Sequence, residues 1–298
     1  MILNIIKLYQ KLSRTSKTII FATITIIPIY LSGFVSVSIN NAMNDDQYKY
    51  WIHLIVLFIV LIIFISIYKV VEYGYECILL EKEKKREVIL YANSLLQRHL
   101  TESQEVILNK PDFNLNNENL AKHHYRNIHS LIEKLYIVFE AQYGKSEEIE
   151  NRINFEVTFM TKSYIDNEIT IPSYANRDKR APISLSLRSQ NSGIYSNTVT
   201  ALIYHETKPD IHIIENTSNP SSNYTELYAK QLDRIKSSIV FPVLSPQNKL
   251  LATIVVHCDK SYFFKYNDLK FWNELLEIFS KFVGLEKIIL DSLNEKLF

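Results

Sequence analysis

Hydrophobic positions along the chain open with two long apolar runs, residues 18–39 and 51–68, neither of which contains an Asp, Glu, Lys or Arg. At about 1.5 Å of rise per residue, runs of this length cross the roughly 30 Å hydrocarbon core of a bilayer. They predict a hairpin of two transmembrane helices. A cleaved signal peptide fits less well, because the first run exceeds a signal core, no A-x-A site follows it and a second run comes at once.

After residue 70 the pattern becomes helical. Ile78, Ile89, Ala92, Leu96 and Val106 form an incomplete stripe, interrupted by the charged run EKEKKRE, so residues 71 to about 108 read as a stalk helix with a solvated face. The asparagine-rich stretch with Pro111 breaks this period, and a second helix is expected from 118 to 141, with Leu120, Ile128, Leu131, Ile132, Leu135 and Phe139 on one face. From residue 150 the period turns to alternation. Strands are expected in NFEVTFMTKSYI, with Phe155, Val157 and Phe159 on one side, and in NEITIPSY and IHIIEN. Ile183, Leu185 and Leu187 also alternate, and irregular structure is the open alternative there. Helices are expected at 192–206, through Val199, Leu202 and Ile203, and at 224–235. SSIVFPVL and LLATIVVHC, joined by SPQNK, read as an antiparallel hairpin in the sheet centre, and Asp268 is placed to cap a final helix over 269–290.

The expected organisation is a basic amphipathic segment (1–17), a transmembrane hairpin (18–70), a stalk and linker (71–117) and an α+β domain (118–298) with helices on one face of an antiparallel sheet. Charge orients it. Lys7, Lys11, Arg14 and Lys17 precede the first run, Asp45, Asp46 and Lys49 lie between the runs, and Lys69, Lys82, Lys84, Lys85 and Arg86 follow the second. Positive flanks remain inside, which puts both termini and the soluble domain in the cytoplasm. Richness in Ile, Asn, Lys and Tyr suits a bacterial inner membrane. Cys77 and Cys258 then lie on the reducing side and imply no disulfide. With 33 basic and 32 acidic residues, the chain does not bind polyanions through bulk charge, so a nucleotide site must be local.

Within the first run, Thr25, Ser32 and Ser36 fall on one face, with Pro28 and Gly33 mid-span. Helix packing in lipid and the wall of a wet pore are both open readings of this face, and a pore requires an oligomer. His123, His124 and His129 lack the i, i+4 spacing of a helical metal site, and no metal or cofactor is expected. The chain carries no G-x-x-x-x-G-K, G-x-S-x-G or H-E-x-x-H and only five glycines, so no enzyme is expected.

Residues 235–287, with Ser238 entering a strand that ends in an apolar-Pro-apolar triplet, a short turn, a second apolar strand and an aromatic-rich loop before a helix, resemble the C-terminal half of a GAF domain. The likeness extends over about 125–290. It implies a sensor pocket between the sheet and the middle helix, commonly in a homo-oligomer. In the regions lining that pocket in the family stand Arg180 and Arg188 for phosphate, Tyr195 for a base, and Thr198, His205, Lys236 and Ser238 for polar contacts. Joined to a membrane hairpin, with no kinase, cyclase or phosphodiesterase signature after it, the domain also resembles in architecture the membrane effectors of bacterial anti-phage systems. That resemblance implies an oligomeric effector or channel controlled by a cyclic nucleotide or short oligonucleotide, with membrane lipid and a nucleotide-synthesising enzyme as partners. The alternative is a membrane-tethered sensor or scaffold that signals through a separate protein.

The two readings of the hydroxyl face separate experimentally. Replacement of Thr25, Ser32 and Ser36 by Leu abolishes ion leakage with assembly intact if they line a pore, and leaves leakage unchanged if they pack; dye efflux from vesicles is the measurement.

Overall fold

The computed structural model describes residues 33, 37, 46–108, 117–144, 152–162, 169–178, 186–187, 198–219, 222, 224–225 and 231–294. Thr25, Ser32, Ser36 and the segment 1–17 lie outside the described residues, as do Arg180, Arg188 and Tyr195. The chain divides into two compact units, Met1–Lys85 and Arg86–Phe298.

The second apolar run and the stalk belong to one helix, α1 (Asp46–Leu108, 63 residues), with no interruption near residue 70. No proline lies between 69 and 108, and the charged run contributes i, i+4 pairs such as Lys85 with Glu81 at 2.6 Å, so nothing breaks the backbone ladder. Within the first unit, Ile59, Ile62, Ile63, Ile65 and Ile67 spread over a little more than half of the helix circumference and each is about half exposed. The stretch Phe58–Glu105 contains a window, of mean hydropathy 1.8 and with none of it buried, long and apolar enough to cross a membrane.

In the second unit, α2 (Asn117–Phe139) forms where expected and closes in a π turn, Glu140–Gly144. The strands are β1 (Phe155–Lys162), β2 (Ile169–Asn176), β3 (Ser186–Leu187), β4 (His212–Ile214), β5 (Ser237–Leu244) and β6 (Leu250–Cys258). They make one antiparallel sheet of order β3-β2-β1-β6-β5-β4. The short helices are α3 (Val199–Ile203) and α4 (Gln231–Arg234), and a 3-10 turn Tyr266–Asp268 leads into α5 (Leu269–Asn294). The alternating strands, the β5–β6 hairpin and the two long helices thus agree with their sequence patterns.

Register explains the core. Ala175, Val157, Val256, Ile239 and Ile213 are successive cross-strand partners, and all five are buried on the face covered by α2 and α5. Over this row lies an aromatic cluster. Phe139 of α2 stacks on Trp272 of α5 at 6.0 Å and meets Phe155 at 5.3 Å and Phe264 at 6.0 Å. Packing of α5 on β5 depends on Gly284, where an added Cβ would come within 3.3 Å of Val243 Cγ1. The C-terminal part of α1 adds Val88, Ala92 and Leu96 to the same core. His123 and His124 meet edge to face at 5.5 Å and bond to Asn127 and Glu286 respectively, while His129 bonds to Ser173.

Three expectations require correction. The sheet is not bare on its second face: α3 covers part of it, and Met160, Ile171, Val199, Ile203, Val240 and Val255 form a smaller buried cluster there. Leu202 is exposed while Thr200 and Ala201 are buried, because the turn of α3 presents residues 199–201 and 203 to the sheet. The helix expected from 224 is absent at Tyr224 and Thr225, and among the described residues only Gln231–Arg234 is helical.

Replacing Phe139 with Ala removes the centre of the aromatic cluster and is expected to cost about 3–5 kcal/mol in denaturant unfolding. Ile137→Ala, at an exposed position of the same helix, stays within about 0.5 kcal/mol.

Candidate functional site

A strand alternates its side chains, so the row next to the apolar one must face the other way. That row reads Asn176, Glu156, His257, Ser238 and Ile214, each the cross-strand partner of the next. Four polar side chains are thereby brought side by side at the end of the sheet's second face. The following row places Thr158 between Tyr174 and Val255. The Thr158 hydroxyl is buried with no hydrogen-bond partner among the described residues.

Around the polar row lies a cleft of about 300 Å³. Glu156 and His257 line it, with Asn176, Arg177, Asp178, Asp233, Arg234 and Asp259 at its rim. Some of these charges are already engaged. Glu140 Oε1 accepts from Arg177 Nε at 3.1 Å and Nη2 at 2.5 Å, which fixes the guanidinium, and Asp259 accepts from the Asn154 main-chain N–H at 2.9 Å and from its side-chain amide at 2.5 Å. Arg234 is looser, with Nη2 at 3.8 Å from Glu156 Oε2 and more than half of its side chain exposed. Asp178 and Asp233 are exposed.

Desolvation governs the floor. Burial raises the Glu156 carboxyl above the ordinary carboxylate value, with Arg234 opposing, and pushes the His257 imidazole down to about 4. Both shifts favour the neutral form. Ser238 Oγ lies 2.9 Å from His257 Nδ1, so the pair shares one hydrogen bond and leaves Nε2 as the ring's second polar atom. Although serine, histidine and glutamate stand in one row, an imidazole titrating near 4 is a weak general base at neutral pH, and it meets the serine through Nδ1 with no carboxylate hydrogen bond to orient it.

Of the site residues expected from the sequence, the structure brings only Ser238 into this row. Thr198 accepts the Ala201 N–H at 3.2 Å as the N-cap of α3, so its hydroxyl is used structurally. His205 is exposed in the turn after α3. Lys236 precedes β5, outside the lining of the cleft, and its main-chain N–H donates to Cys258 at 2.8 Å. Glu156, His257 and Arg234 were not anticipated. For Glu156 and His257 the signal available was a charged or polar residue inside the apolar strings FEVTF and IVVHC. Cys258, next to His257, turns into the core, where burial raises its thiol to about 12; Cys77 is exposed on α1.

No family model and no curated protein matches the chain. Solved structures similar to it include one described as the structure of the GAF domain, at 17% identity over 58% of this chain and 90% of that one, with a TM-score of 0.36. A methyl-accepting chemotaxis protein fragment is similar at 12% identity over 57% and 92%, with a TM-score of 0.39. The free methionine-R-sulfoxide reductase of Neisseria meningitidis, solved with its substrate, is similar at 12% identity over 57% and 90%, with a TM-score of 0.37. At such identities and scores these likenesses decide neither ligand, activity nor assembly for this chain.

Proposed function

We propose that the protein is a membrane-anchored sensor whose GAF-like domain binds a small ligand of nucleotide type in the cleft over Glu156 and His257. The observation that carries this reading is the desolvated polar row itself. Drawing a carboxyl and an imidazole largely out of water on a sheet face is unfavourable unless their hydrogen-bonding capacity is met, and a ligand with several hydrogen-bonding groups in the cleft they line meets it.

The rim supplies the rest. Arg234 offers forked donors to phosphate, and Asp178 and Asp233 offer acceptors to sugar hydroxyls or base N–H groups. A cleft of about 300 Å³ has room for one mononucleotide unit, which favours a cyclic nucleotide or one end of a short oligonucleotide. Membrane attachment rests on α1, whose isoleucines are exposed over a broad face, a pattern suited to lipid.

In this reading the soluble domain is cytoplasmic, the ligand comes from a nucleotide-synthesising enzyme, and the membrane helices of a homo-oligomer are the output, as a channel or membrane-disrupting effector in anti-phage defence. Two helices per subunit cannot enclose a water path, so the output requires assembly.

Mass spectrometry of small molecules released from gently purified full-length protein tests the ligand class. A stoichiometric nucleotide is the expected result, and retention of a compound without phosphate overturns the nucleotide assignment. Arg234→Ala should weaken nucleotide binding about 10- to 100-fold by calorimetry, as loss of a charged hydrogen-bond partner does.

A second outcome follows from His257. Its folded pKa near 4 lies below the ordinary value of 6.5, so the unfolded chain binds the extra proton first. Its contribution to stability is complete above pH 6.5 and is lost as pH falls toward 4, by up to about 3 kcal/mol. The raised Glu156 works with the opposite sign in the acid part of that window. Ligand affinity should be flat between pH 6.5 and 8, and His257→Gln should flatten the stability loss between pH 6.5 and 4 in denaturant titrations.

A further inference from the structure

Among the described residues, two non-glycine positions have left-handed backbone, Asn248 at φ 60° and Tyr262 at φ 59°. Asn248 lies in the β5–β6 turn, where asparagine tolerates this conformation. Tyr262 has no such local reason. A bulky side chain rarely adopts positive φ, and here its ring does not recover the strain by burial, being 52% exposed.

The strain is held from one residue. Tyr262 N–H donates to the main-chain carbonyl of Glu215 at 2.6 Å, and Tyr266 N–H donates to the same residue's Oε1 at 2.9 Å. Glu215, which follows β4, is thus tied through both its backbone and its carboxylate to the loop between β6 and α5. The three residues line a cleft of about 220 Å³ beside the edge strand β4, with His212, Asn216 and Asn219. None of them lines the cleft over Glu156 and His257. Tyr266 is 59% exposed.

We propose that this second cleft binds an organic cation, a guanidinium or alkylammonium group, between the Tyr262 and Tyr266 rings and the Glu215 carboxylate. Aromatic faces are electron-rich and attract cations that are weakly hydrated, and a carboxylate held by a main-chain N–H loses little freedom when it meets one. The mixture of exposed aromatic surface and a fixed negative charge disfavours phosphate and disfavours small, strongly hydrated metal ions. Strain at Tyr262 is then the consequence of presenting a ring at the mouth of the cleft, and it predicts that function and stability oppose each other at this position.

Calorimetric titration of the full-length protein in detergent with choline and with Nα-acetylarginine amide, at constant ionic strength, tests the assignment. Saturable binding of either supports it: preference for choline indicates a free quaternary amine, and preference for the arginine derivative indicates a side chain of a protein partner. Tyr262→Gly should raise the thermal midpoint by about 2–4 °C, as relief of backbone strain does, while weakening cation binding at least fivefold. Tyr262→Phe should retain binding, and Glu215→Gln should weaken it while keeping the Tyr266 contact. Absence of binding by both cations, unchanged affinity in Tyr262→Gly, or a lowered thermal midpoint in that variant would overturn the proposal. Should Tyr262→Gly not fold, Tyr266→Ala supplies the same comparison of affinity. Nucleotide release from the other cleft is independent of these outcomes, so the two assignments fail separately.

Discussion

From Leu250 to Cys258, β6 is bonded to β1 on one side and β5 on the other, and this central position makes its alternation binding on the whole sheet. A shift of one residue would send Ile254, Val256 and Cys258 out of the core and His257 and Thr253 into it. The core excludes that shift, because Val256 sits in a five-strand apolar row under α2 and α5, and Ile254 pairs with both Phe159 and Phe241. The position of every polar side chain on the second face follows from packing on the first. His257 faces Glu156 and Ser238 because Val256 and Cys258 are wanted elsewhere.

Electrostatics then separates floor from rim. At the floor, burial pushes a carboxyl and an imidazole toward their neutral forms, so the row offers directional hydrogen-bond donors and acceptors. At the rim, Arg234, Asp178 and Asp233 stay in contact with solvent. A ligand entering such a cleft meets long-range attraction first and directional hydrogen bonds second. Arg177 bridges the two zones, because Glu140 at the start of the π turn holds its guanidinium in place.

Much of the fold was legible because it depends on short-range periodicity. Alternation in FEVTF, the continuous apolar runs of the two hairpin strands, and the broad apolar faces of α2 and α5 report local conformation and burial together. The short helices were less legible: α3 has five residues and α4 four, too few for a period to declare itself, and Leu202 was assigned inward although it is exposed. The site was mostly illegible. Thr198 has the chemistry of a ligand contact but sits where a helix needs a cap, and Glu156 and His257 lie 101 residues apart in the chain and meet only through register. Cross-strand register is a property of the folded sheet, and residue type alone does not report it.

The two faces of the sheet also differ in how firmly they are built. On the first, Phe139, Phe155, Phe264 and Trp272 interlock with α1, α2 and α5, so displacement of one ring disturbs several neighbours. On the second, the buried residues are smaller and fewer, and their cover includes a five-residue helix, α3, whose ends are a Thr198 cap and a turn. Stability concentrated on one face leaves the other able to carry buried hydroxyls and shifted ionisable groups without unfolding the domain. A ligand that filled the cleft would bear on the residues that line it, at the ends of β1, β2 and β6 and in the short helix α4, with Phe155 of the aromatic cluster among them. The strained Tyr262 lies elsewhere, tied to Glu215 immediately after the edge strand β4, so the second cleft is set apart from the first by the sheet's own topology.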